Sequence, residues 1–141
     1  MIRRGQRLGG AAAIEFALLL PVLVLLAMGI VEYGWMLYER SECTRAVREG
    51  VRYAVVMPSS GTPDPATIAK TRATTVLAGL GIDTTDATFT TKYDDLTKDA
   101  KATNDTLTLR LKLRYRPVTG GLVPTPSNLQ VSMSMMLQDG T

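Results

Sequence analysis

The chain contains no histidine, a single cysteine at Cys43, and few aromatic residues, 6% of its 141 positions. The missing histidine removes Ser/His/Asp and Cys/His catalysis, and with one thiol neither an intrachain disulfide nor a zinc finger is available. Excess charge is scarce as well. Of 16 basic residues, three (Arg3, Arg4 and Arg7) precede Gly10, and the remaining 13 meet 13 acids, so the net charge of +3 is a property of the first ten positions alone. Nucleic acid binding therefore has little electrostatic support. Gly79 and Gly81 do not make a dinucleotide site, because the third glycine is missing and no strand precedes them. At this length the chain holds one small domain and at most one accessory segment.

What is abundant is apolar sequence in one block. Residues 11–31, AAAIEFALLLPVLVLLAMGIV, carry one charge, Glu15. As a helix rising about 1.5 Å per residue they span about 31 Å, the thickness of a bilayer's hydrocarbon core. A removable secretory signal has a shorter apolar stretch and a small-residue cleavage site, which does not follow Val31. A core helix buried on all sides would need more surrounding chain than is present. The pattern predicts a transmembrane helix. Arg3, Arg4 and Arg7 before it keep the amino end in the cytoplasm, and Tyr33, Trp35 and Tyr38 after it suit the headgroup level of the far leaflet. Pro21 inside the run predicts a bend. Glu15 costs on the order of 2.5 to 3.5 kcal/mol in hydrocarbon and calls for a cation, unless it reaches the cytoplasmic headgroups.

Residues 3–38, RRGQRLGGAAAIEFALLLPVLVLLAMGIVEYGWMLY, resemble the amino terminus of TadE-like pseudopilins, minor pilins of the tight-adherence (Tad, type IVc) branch of type IV pilus systems. The stretch TRAVREGVRYAVV, residues 44–56, is similar to that family too, and the resemblance covers about the first 57 residues. It implies a prepilin-type leader, residues 1–10, cut by a prepilin peptidase between Gly10 and Ala11. Glu15 then stands fifth and Phe16 sixth in the mature chain. Cutting also creates an ammonium on Ala11, four residues before Glu15 and on the same helix face. The resemblance further implies pairing of Glu15 with the amino terminus of a neighbouring subunit, and a role in pilus biogenesis and adhesion. The partners it implies are other pilin and pseudopilin subunits, the Tad inner-membrane assembly machinery and membrane lipid, with no cofactor and no nucleic acid. The expected place is the bacterial inner membrane, carboxyl domain outside the cytoplasm, with passage to a surface pilus on assembly.

Beyond the span, periodicity carries the helix to Val56, with Met36, Cys43, Ala46, Val47, Gly50, Val51 and Ala54 on one stripe. Glu42, Arg45, Glu49 and Arg52 lie opposite, spaced for pairs within the helix. Ala46, Gly50 and Ala54 recur every fourth residue and permit close helix packing, either on the chain's own sheet or within a pilus. Cys43 reads as a buried thiol or an intersubunit disulfide. Pro65 opens a short second helix, capped by Asp64 and ended by Gly79 or Gly81, with Ile68, Val76, Leu77 and Leu80 toward the core.

Three strands are expected at residues 88–93, 106–115 and 129–137. The second alternates Leu107, Leu109, Leu111, Leu113 and Tyr115 with Thr108, Arg110, Lys112 and Arg114, a half-buried pattern, and Met133, Met135 and Met136 fill the core or end the third. Arg110, Lys112, Arg114 and Arg116 form either a solvated face or a surface for anionic lipid, glycan or another subunit. Asp94, Asp95, Asp99, Asn104 and Asp105 gather oxygen ligands without EF-hand spacing, so residues 94–105 are a polar hairpin loop or a calcium loop. The expected fold is α+β and pilin-like: a long amino-terminal helix over residues 11–57, transmembrane then amphipathic, on a small antiparallel sheet with a short second helix. Residues 58–141 complete the extracytoplasmic domain. Two non-enzymatic roles follow: a processed pilus subunit, or a permanently membrane-anchored extracytoplasmic binding or accessory module.

Overall fold

A computed structural model describes residues 8–56, 64–94 and 106–137. The element order is α1 (Leu8–Val56), α2 (Pro65–Gly79), β1 (Thr88–Asp94), β2 (Thr106–Arg114) and β3 (Asn128–Met136), an α+β layout. The chain divides into two compact units, the described parts of Met1–Trp35 with Pro117–Thr125, and of Met36–Arg116 with Pro126–Thr141.

In the first unit the helix passes through Pro21, and from Gly10 to Ala27 every residue is exposed. Ile14, Phe16, Leu18 and Ile30 are each 60% exposed or more. Soluble domains rarely leave so long an apolar surface uncovered, since free patches on monomers mostly stay within a few hundred Å². A helix built to sit in lipid or among other apolar helices does.

The second unit holds the core. β1, β2 and β3 form one antiparallel sheet in that order, with Leu111 between Phe89 and Val131, and Leu109 between Thr91 and Met133. Because side chains alternate across a strand, this register puts Leu107, Leu109, Leu111 and Leu113 on one face. They join Cys43, Val47 and Val51 of α1 and Ala69, Ala73 and Leu77 of α2 in one buried cluster. Each fully buried leucine or valine contributes about 1.5–3 kcal/mol relative to exposure. The opposite face is hydroxyl, amide and cationic, with Thr90, Arg110 and Ser132 in one row and Thr88, Lys112 and Gln130 in the next.

α2 begins at Pro65, whose absent N–H is no loss in a first turn, with the Asp64 carbonyl accepting from Thr67 and Ile68. The Asp64 side chain makes no cap hydrogen bond to the helix. At the other end Ile82 N–H donates to Leu77 O and Gly81 N–H to Ala78 O, a Schellman motif. It requires the left-handed residue that Gly81 supplies at φ 72°, so Gly81 rather than Gly79 is the stop. The buried residues of α2 are Ala66, Ala69, Ala73 and Leu77, while Ile68 and Val76 lie at the margin of the core.

Candidate functional site

The residues read as functional at the amino end all lie on the first turns of α1. Gly10, Ala11, Glu15 and Phe16 are exposed. The helix raises Glu15 about 6 Å above Ala11 on the same side, so an ammonium at Ala11 would have the Glu15 carboxylate as its neighbour one turn along.

At the other end of the apolar run lies a feature for which the sequence offers no periodic signal. Glu32, one residue past Val31, is completely buried and is the one buried charged side chain among the described residues. Its Oε1 accepts the Val118 N–H at 3.2 Å and its Oε2 the Thr119 N–H at 2.8 Å. The next residue, Tyr33, donates its hydroxyl to the Pro124 carbonyl at 3.0 Å. Two consecutive helix residues thus hold both ends of the loop at residues 117–125, and Gly120 and Gly121, at φ 70° and 89°, turn the chain between them. With the acid ionised, both bonds are charge-assisted through the acceptor and stronger than the same donors would make to a neutral carbonyl. The available hint was a glycine pair flanked by prolines, Pro117, Gly120, Gly121 and Pro124, following a strand.

In the second unit the small-residue stripe is spent within the chain. Ala46, Gly50 and Ala54 are buried, and a Cβ on Gly50 would stand 2.5 Å from the Ala69 carbonyl oxygen and 3.1 Å from the Ala73 Cβ. Gly50 thus meets α2, not the sheet. Glu49 is also drawn across to α2, pairing with Arg72 at 3.2 Å instead of with Arg45 or Arg52, and the Arg72 guanidinium lies 5.4 Å from the centre of the Tyr53 ring. Of the pairs expected within α1, Glu42 and Arg45 approach to 3.8 Å, a long contact between an exposed guanidinium and a mostly covered carboxylate. Cys43 has no exposed surface. Burial, then the carboxylates of Glu39 and Glu42, push its thiol up to about 11 from 9.0, which leaves it protonated and unreactive.

The basic row on β2 is shorter than its sequence suggests. Strand β2 ends at Arg114, so alternation stops there, and Arg116 turns aside to pair with Asp83 and Asp86, each at 3.3 Å. The Thr85 hydroxyl and backbone N–H both donate to Asp83, and these bonds first, then Arg116, hold its carboxyl below the ordinary range. Arg110, Lys112 and Arg114 remain exposed on the outer face of the sheet. Of the oxygen-rich loop, residues 95–105 lie outside the described residues, and no described group of His, Cys, Asp and Glu side chains is arranged to hold a metal.

One helix in the described chain is long and apolar enough to cross a membrane. No curated protein and no solved structure matches the chain. Residues 10–52, from Gly10 near the start of α1 into its buried stripe, match the model of the family described as TadE-like protein, and over that segment the chain is similar to that family.

Proposed function

We propose that this chain is a non-enzymatic minor pilin or pseudopilin of a Tad-type pilus, cut by a prepilin peptidase after Gly10 and used in pilus biogenesis and adhesion. The carrying observation is the uncovered apolar helix with one carboxylate, Glu15, a turn above Ala11. That arrangement suits a helix that first lies in lipid and then packs among like helices, guided by a charge pair. The family match over residues 10–52 supports the same reading, since it covers the apolar helix and Glu15 from Gly10 onward. Removing Arg3, Arg4 and Arg7 with the leader would release the charges that hold the amino end in the cytoplasm.

The deciding experiment is intact mass and amino-terminal sequencing of the protein from its native membrane, with and without the cognate prepilin peptidase. The expected product begins at Ala11 only when the peptidase is present. A chain that keeps residues 1–10 in peptidase-proficient cells supports the permanently anchored accessory module instead.

A further inference from the structure

The loop at residues 117–125 contains no charged residue. Its two large exposed side chains are Val118 and Leu122, at 57% and 65%. Isolated exposed apolar residues mean little in themselves. Here the helix fixes their level. The loop is bonded to Glu32 and Tyr33, the first and second residues after the charge-free stretch ending at Val31. At about 1.5 Å of rise per residue, that anchorage lies within about 3 Å of the end of the hydrocarbon-spanning run. Ile30 and Val31, the helix residues just before Glu32, are exposed, at 77% and 58%.

Glu32 explains why the loop is fastened this way. A carboxylate turned toward the acyl chains at a bilayer boundary is costly when bare. The loop's two N–H groups occupy one oxygen each and enclose the carboxylate, so the side chain that would draw the helix end toward water is satisfied from within the protein. What the loop then presents outward is Val118 and Leu122.

We infer that the loop at residues 117–125 is a membrane-contacting collar, which inserts Val118 and Leu122 at the headgroup and acyl-chain boundary of the leaflet at the carboxyl end of the span. The occupant of this surface is lipid, by continuity with the apolar helix to which the loop is bonded. The inference rests on the membrane-spanning part of the proposed function and is independent of cleavage or filament assembly.

The test uses full-length protein in phosphatidylcholine vesicles, with Trp35→Phe removing the native tryptophan and Leu122→Trp placing the probe. Val118→Trp serves as a second, independent probe, and Leu23→Trp reports the span itself. Both loop probes should lose most of their fluorescence to lipids brominated near the headgroup. They should also resist iodide better than N-acetyltryptophanamide in solution. The deep probe at position 23 should respond to bromines near the chain ends. If the loop probes ignore brominated lipid and are fully open to iodide while the position 23 probe is quenched by lipid, the collar is wrong and the span stands. If all three probes ignore brominated lipid, the span fails and the collar with it.

Discussion

Gly50 of α1 lies against the carbonyl of Ala69 on α2 so closely that a methyl at position 50 would fall 2.5 Å from that oxygen. Two effects oppose each other at this position. Alanine in place of glycine favours a helix interior by about 1 kcal/mol, whereas forcing an extra carbon into a packed contact costs about 1–3 kcal/mol. The obstacle here is backbone, which cannot turn aside as a flexible side chain would. Gly50→Ala should therefore lower the thermal midpoint of the detergent-solubilised protein, and Gly50→Val should lower it further. A midpoint equal to or above the parent's would show that α1 and α2 separate at little cost.

Glu32 offers a test with residue-level readout. Glu32→Ala removes both acceptors from the Val118 and Thr119 amides, and a polar group left unsatisfied costs about 1–3 kcal/mol. The loop should open instead, accelerating hydrogen exchange at those two amides by about tenfold to a hundredfold at 1.4 kcal/mol per decade. Glu32→Gln keeps one acceptor and should fall between. Exchange at Leu109 and Leu111 should not change, because those amides belong to the sheet of the other unit. Unchanged exchange at Val118 would mean that the carboxylate is not what holds the loop.

Cys43 makes a prediction whose sign follows from linkage. Its thiol is raised in the folded chain to about 11 from an ordinary 9.0, so the folded state holds the proton more tightly than the unfolded state. The corresponding stability is fully present below pH 9 and declines as pH rises toward 11. In Cys43→Ala the alkaline loss of stability between those values should be shallower than in the parent, whatever the cavity costs at neutral pH. Consistent with a buried thiol, iodoacetamide at pH 8 should label native protein far more slowly than unfolded protein. Rapid native labelling would place the side chain at the surface.

These tests fall on features of unequal visibility in the sequence. The sheet could be read because Leu107 to Leu113 alternate with polar residues, a pattern that depends only on the two-residue period of a strand. The buried face of α2 was harder to read. Large apolar residues point to Ile68, Val76, Leu77 and Leu80, of which Leu77 is fully buried, while the tight approach to Gly50 selects alanines for the centre of the contact. Glu49 shows the limit of local charge spacing, since its partner Arg72 lies 23 positions away and Arg45 and Arg52 were nearer in sequence. Glu32 and its loop are 86 and 87 positions apart and share no repeat, so that clasp depends on chain topology alone. The proposed cut after Gly10 could be read locally because a peptidase would recognise a short stretch, whereas a clasp between distant segments leaves no such signature.

Substitutions at Glu15 test membrane anchoring and the proposed assembly role separately. In lipid, Glu15→Val removes a charge costing on the order of 2.5 to 3.5 kcal/mol, so the variant should insert at least as well as the parent. Its leader should still be removed, because Gly10 and Ala11 are untouched. If Glu15 guides a subunit by pairing with an Ala11 ammonium, filaments per cell counted by electron microscopy should nevertheless fall. Glu15→Gln tests the charge with nearly the same shape and should fail in the same direction, while Gly10→Val should block processing and leave the chain in the membrane with its leader attached. Wild-type filament numbers with processed Glu15→Val would end the charge-pair account, since neither insertion nor cleavage would have masked its loss.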